Sequence, residues 1–193
     1  MIAQKKKWGG RLKILGLDLS IILLSFIASV IIMFVLVKLV FFETGNQFDS
    51  RAFSFMGRNV SDRNTGIMEF FSFIGSHRFL VPANLTLIAY AIFIQKNTWR
   101  AINIGAIGVS SLILMFTLKA LFNRPRPETP LLYEVPGLSF PSGHAFMSFT
   151  FFGLLIYITL QQVGHAVLKY SLSAIFLFTI IMIGMSRIYL RVH

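Results

Sequence analysis

No cysteine occurs in the chain, so disulfides, thiolate catalysis and sulfur-ligated metals are excluded and the redox compartment cannot be read. Charge is almost as scarce: 13% of the 193 residues are Asp, Glu, Lys or Arg, 55% are hydrophobic, and the mean hydropathy is +0.74. That is too apolar for a soluble domain of this size and points to an integral membrane protein. The formal charge of +11 invites a nucleic-acid partner. The basic residues, however, sit at the ends of apolar runs and not along one face, and no nucleic-acid motif is present, so no nucleic acid is expected to bind.

A cleavable leader is not expected either. Lys5, Lys6, Lys7, Arg11 and Lys13 precede an uncharged stretch from Leu19 to Val37, 19 residues long, with no small-residue cleavage site after it. This reads as a retained transmembrane helix with a cytoplasmic basic anchor. Four further uncharged runs follow: Phe79 to Gln95, Ala101 to Leu118, Ala145 to Gly164 and Tyr170 to Ser186, of 17, 18, 20 and 17 residues. Each reaches or nearly reaches the roughly 20 apolar residues that cross a bilayer as a helix. The expected architecture is therefore an all-α polytopic membrane helix bundle, one domain over 1–193, with spans at 19–42, 79–95, 101–122, 143–164 and 170–187.

The wetter segment 43–78 is expected to be an extracytoplasmic loop. Its apolar piece Ile67 to Ile74 is short and carries Glu69, which suits an interfacial helix better than a span. His77, just beyond it, reads as polar loop surface. Pro82 falls in the first turn of its helix, where a missing N–H costs little. Gly105 and Gly108, with Ser110 and Ser111, would let a neighbouring helix come close.

Five spans with a cytoplasmic N-terminus place loops 96–100 and 165–169 inside, and 43–78, 119–144 and 187–193 outside. The Lys and Arg count is then eight inside against nine outside. Five of the nine, Lys119, Arg124, Arg126, Arg187 and Arg191, belong to the motif pieces below. The remainder, eight against four, follows the positive-inside bias.

Those motif pieces all fall on that one outer face. Lys119 ends a span, and Pro125 and Pro127 push the arginines before them out of helical geometry, so the chain leaves the membrane extended with Arg126 able to turn back. Snorkelling to headgroups would account for these cations alone. Pro141-Ser142-Gly143-His144 adds more: Ser142 is a good N-cap, Gly143 admits another group to the backbone, and the helix that follows points N–H groups and the positive end of its dipole outward. His144 is placed to donate a proton to a departing oxygen. Arg187 offers a planar fork for phosphate oxygens, and His193 is a second histidine on the same face, available as a nucleophile. Nucleophile, acid and clustered cations make a phosphoryl-transfer site by positioning and electrostatics. Only Glu128 and Glu134 lie in the motif loop, too few carboxylates for a two-metal centre, so no metal and no cofactor is expected.

The residues resemble the type 2 phosphatidic acid phosphatases, relatives of the vanadium haloperoxidases. That family's three motifs, K-x6-RP, PSGH and SR-x5-H-x3-D, are matched by Lys119 with Arg126-Pro127, by Pro141 to His144, and by Ser186-Arg187 with His193. The resemblance implies that His193 attacks phosphorus to form a phosphohistidine and that His144 protonates the leaving oxygen. Lys119, Arg126, Ser142, Gly143 and Arg187 would bind the phosphoryl oxygens, without a metal. A soluble vanadate-dependent haloperoxidase shares these residues, but the apolar spans argue against it.

Two departures accompany the match. The family's final aspartate would fall four residues after His193, where this sequence ends, and the usual sixth, C-terminal span is missing, so truncation and weak or absent turnover are expected. A cationic site between helices just outside the hydrocarbon suits a lipid whose phosphate lies at the interface. Undecaprenyl diphosphate, phosphatidylglycerophosphate and phosphatidate all fit, and a non-catalytic lipid-binding or transport protein using the same cations is the alternative. The expected location is the cell (inner) membrane of a bacterium, with the site facing outward.

Overall fold

The computed structural model describes residues 60–125 and 137–191, together with 27, 31, 35, 38, 54, 56, 57 and 131. The chain divides into two units, 1–51 and 52–193. In the first, the described residues Ile27, Ile31, Val35 and Lys38 are helical and exposed. They fall within the expected first span. The second unit carries the helices that bear the motifs.

All regular structure among its described residues is helical, and five helices order the chain: α1 (Asp62–Ile74), α2 (His77–Phe93), α3 (Thr98–Phe122), α4 (Gly143–Gln162) and α5 (Ala166–Tyr189). Polar side chains start four of them. Ser61 Oγ accepts from Asn64 N at 3.3 Å, Asn97 Oδ1 from Arg100 N at 2.9 Å, Ser142 Oγ from Ala145 N at 3.4 Å and His165 Nδ1 from Leu168 N at 3.4 Å. Each takes up an N–H that has no carbonyl of its own helix to bond. α3 stops at Asn123, which adopts the left-handed conformation (φ 43°, ψ 36°) and donates its N–H to Lys119 O. Asparagine tolerates that geometry better than most residues, and Pro125 lies too close for the helix to resume.

α3, α4 and α5, at 25, 20 and 24 residues, are long and apolar enough to cross a membrane; α2, also apolar, has 17 residues. The fold is thus a polytopic membrane helix bundle. Three features differ from the sequence expectation: Pro82 lies in the second turn of α2 and not the first, because the helix begins at His77 and not at Phe79. The helix expected over 67–74 begins five residues earlier, because Ser61-Asp62 caps it, and His77 is not in a loop but opens α2.

α2, α4 and α5 meet around Leu80, Phe151, Phe152 and Ile183, with Phe71 and Ile74 of α1 packed on the same cluster. A second cluster, Ala91, Ala101 and Ile104, joins α2 and α3 beside Leu154 of α4. Between these, Ser111 on α3 and Thr150 on α4 share a hydrogen bond of 2.7 Å. Gly105 and Gly108 face Ile88 and Asn84 of α2, but a methyl at either would make only ordinary contact. Ser110 turns back to Ile107 O of its own helix. The most apolar helix is the least covered: only 6% of the α5 window is buried, and the buried residues of α5 are Ile183, Ser186, Arg187 and Tyr189, all at its C-terminal end. Its outer face fits lipid, and protein grips it chiefly where the third motif begins.

Candidate active site

The motif residues gather where α3 ends, α4 begins and α5 ends. Lys119, in the last turn of α3, donates from Nζ to Leu138 O at 2.6 Å. The loop it reaches is clipped at its root by Ser139, which is 2% exposed: its N–H bonds Arg124 O at 2.9 Å, and its hydroxyl lies 2.7 Å from Pro125 O and 3.2 Å from Arg124 O. Phe122 and Phe140 close the same neck edge-to-face, with ring centroids 5.0 Å apart. The loop between therefore returns the chain to the place where α3 ended. Three residues past Ser139, Ser142 caps α4.

Gly143 opens α4, and a Cβ built on it would have Met115 Sδ as nearest neighbour at 3.7 Å, one helical turn before Lys119. The first turn of α4 thereby lies against the last turns of α3. His144 follows, half-buried. Its Cβ lies 3.5 Å from where a Cβ on Gly75 would stand, and that same point lies 3.2 Å from Ser148 Oγ and 2.5 Å from Ile183 Cγ2. Gly75 is thus the corner at which the end of α1 enters between α4 and α5. Any side chain there collides with the body of a buried isoleucine.

α1 also holds the third motif. Arg187 is 3% exposed, and its Nη1 donates to Ser72 Oγ at 2.6 Å; Ser72 is itself 6% exposed. Ile183 and Arg187 are one turn apart on α5, as Ser72 and Gly75 are nearly one turn apart on α1. The two helices therefore set the guanidinium and the start of α4 on either side of one corner. Ser186, fully buried, bonds back to Ile183 O at 2.7 Å, and Tyr189 OH meets Thr65 Oγ1 of α1 at 2.9 Å. Leu190 O then accepts from Leu131 N at 3.1 Å, tying the end of α5 to the motif loop.

Of the seven expected site residues, Lys119, Ser142, Gly143, His144 and Arg187 lie at this end of the bundle, while Arg126 and His193 fall outside the described residues, as do Glu128 and Glu134. Among the described residues no three of His, Asp and Glu come together as a set of metal ligands. His77 is exposed at the start of α2. Sequence reasoning missed Ser72, Gly75, Ser139 and Ser148. Ser148, one turn after His144, is fully buried, and among the described residues its hydroxyl has no hydrogen-bond partner. Of the four, only Gly75 carried a signal, a Gly-Ser pair between apolar runs, which marks a helix boundary.

A buried arginine and a half-buried lysine thus stand with a capped helix start at one end of a membrane helix bundle. The PAP2 superfamily family model matches residues 100–193 of this chain. The chain is 26% identical over 132 residues to phosphatidylglycerophosphatase B of Bacillus subtilis (strain 168), an alignment covering 66% of this chain and 63% of that protein's length. Its fold is similar to a crystal structure described as the first transmembrane PAP2 type phosphatidylglycerolphosphate phosphatase from Bacillus subtilis. That likeness has a TM-score of 0.76 at 22% identity, over 86% of this chain and 83% of the other.

Proposed function

We propose that the protein is a membrane-embedded lipid phosphatase that works through a phosphohistidine and needs no metal. In this reading a ring nitrogen of His193 attacks the phosphorus. A P–N bond forms as the P–O bond to the lipid oxygen breaks, and His144 gives its proton to that oxygen. Water then attacks the phosphohistidine and returns a proton to His144, and inorganic phosphate leaves as His193 is restored. Lys119, Arg126 and Arg187, with the N–H groups of the first α4 turn at Ser142-Gly143, hold the phosphoryl oxygens as charge shifts among them.

The observation that carries this reading is the burial of Arg187. A guanidinium withdrawn from water is costly, and here it stands at the end of the bundle that also carries Lys119 and the capped start of α4, where its fork and charge suit phosphate oxygens. An arginine placed only to hold headgroups would lie exposed. The substrate class follows from position: a site at the ends of spanning helices admits a phosphate at the interface while the acyl or prenyl tails stay in lipid. Phosphatidylglycerophosphate leads the candidates, because the relative's name supports it, followed by a polyprenyl diphosphate and phosphatidate. The expected setting is a bacterial cell membrane, with the N-terminus cytoplasmic and the site outside.

Phosphate release from these three lipids in detergent with EDTA present tests the proposal. Turnover of one of them, lost in both His144→Ala and His193→Ala, is the expected result. If the chain binds the lipids but releases no phosphate from any, the protein is a lipid-binding or transport protein and the enzymatic reading fails.

A further inference from the structure

The opposite end of the bundle holds a second polar site. Gln95 of the α2–α3 connection accepts from Arg100 Nη1 at 2.8 Å and donates to Gln162 Oε1 of α4 at 3.2 Å, so one amide links three elements. Beside this link a groove of about 640 Å³ opens between α3 and α4, lined by Asn97, Arg100 and Asn103 on one wall and Tyr157 and Gln161 on the other, with Trp99 at its edge. Such a volume accommodates a lipid headgroup. Arg100 is half-buried, and among the described residues it meets no carboxylate. The only acidic residues described, Asp62 and Glu69, lie on α1 at the other end.

The groove is separate from the phosphate site. Arg100 and Lys119 are 19 residues apart on one helix, about 28 Å at 1.5 Å per residue, which matches the ~30 Å hydrocarbon core. The two sites therefore face opposite leaflets. The lining is specific in kind: one cation that meets no carboxylate among the described residues, four carboxamides (Asn97, Asn103, Gln161 and Gln162) that can donate to oxygen, and two strongly exposed aromatics, Trp99 and Tyr157, of the sort that lie at headgroup depth. Apolar Ile104, Ile107, Leu154 and Ile158 continue the groove toward the membrane interior, where an acyl chain would run.

We propose that this groove binds the anionic phosphate headgroup of one phospholipid from the leaflet opposite the phosphate site. Arg100 supplies the charge, Asn103 and Gln161 the hydrogen bonds, and Trp99 and Tyr157 the walls at the interface.

Trp99 is one of only two tryptophans, so Trp8→Phe leaves it as sole reporter of the groove. The full chain with that change, in phosphatidylcholine nanodiscs, is titrated with brominated phosphatidylglycerol or brominated phosphatidylcholine, and Trp99 quenching is followed. The expected result is saturable quenching by the anionic lipid at about fivefold lower mole fraction than by the zwitterionic one, the factor one interfacial cation confers. Arg100→Gln removes that preference. Asn103→Asp, which leaves the Gln95 bond intact, removes it by repulsion, and Arg100→Lys keeps most of it. Equal quenching by the two lipids, or a preference that survives both Arg100→Gln and Asn103→Asp, overturns the proposal. Displacement of the anionic lipid by millimolar inorganic phosphate or glycerol phosphate also overturns it, because the groove would then take soluble phosphate.

Discussion

Arg187 and Arg100 perform the same local act at opposite ends of the bundle: each donates Nη1 to a neutral oxygen of another element, Ser72 at 2.6 Å and Gln95 at 2.8 Å. Their surroundings differ. Arg187 is 3% exposed inside a corner built by α1, α4 and α5, whereas Arg100 is half-buried on an open groove. A guanidinium that water and headgroups can reach is close to neutral for stability, while one withdrawn from both is tolerated only where its charge is used. Burial, more than residue type or helix-end position, separates the expected catalytic cation from a lipid-facing one.

The largest effect should come from removing the buried charge. Arg187→Ala is expected to lower kcat/KM for the lipid phosphate by about 10²–10³, the scale of losing one pre-placed donor to a reacting oxyanion. Arg187→Lys should recover only part, because an ammonium cannot reproduce the fork that meets Ser72 and substrate together. Steady-state phosphate release checks both. Equal rates for Arg187→Ala and the parent chain would place Arg187 outside the reaction.

Next in size is a packing change at the same corner. Gly75→Ala places a methyl 2.5 Å from Ile183 Cγ2 and 3.2 Å from Ser148 Oγ, and overpacking of a buried site costs about 1–3 kcal/mol. Thermal unfolding in detergent should fall accordingly. Ile183→Ala, which removes the colliding methyl, should cost less in the Gly75→Ala background than alone, a coupling of about 1 kcal/mol that independent sites would not show. An alanine at Gly105, which meets nothing nearer than 3.8 Å, is expected to leave stability unchanged or raise it slightly.

What could be read in advance follows the same division. The motif residues were legible because their identities and spacings are fixed along the chain, and the helical pattern was legible because uncharged runs announce themselves in a sequence with so few charges. The elements that hold the motifs were not. Ser72 and Arg187 are 115 positions apart, and a single serine in an apolar stretch is indistinguishable from any other until the fold brings them together. Ser139 is similar: its clip on Arg124 O and Pro125 O depends on a loop closure that no local pattern encodes. The early start of α1 was legible in principle, since Ser61-Asp62 is a capping signal. The apolar piece 67–74 carries the stronger local signal and masks it.

The smallest expected effect is also the sharpest test of the comparison. Ser72→Ala and Gln95→Leu each delete the acceptor of one arginine Nη1 hydrogen bond. Gln95→Leu also deletes the bond to Gln162 Oε1, so if bond count governed stability it would cost more than Ser72→Ala. At Ser72 the guanidinium loses an acceptor in a site that neither water nor lipid headgroups enter readily, so the loss should exceed about 1 kcal/mol, with a fall in kcat/KM as the guanidinium loses its position. At Gln95 the stranded Nη1 can turn to water or a headgroup in the open groove, and the loss should stay below about 1 kcal/mol. Unfolding midpoints of the two variants, measured side by side in one detergent, decide the matter. Equal shifts would mean that the corner around Arg187 is as wet as the groove around Arg100, and burial would no longer mark Arg187 for catalytic use.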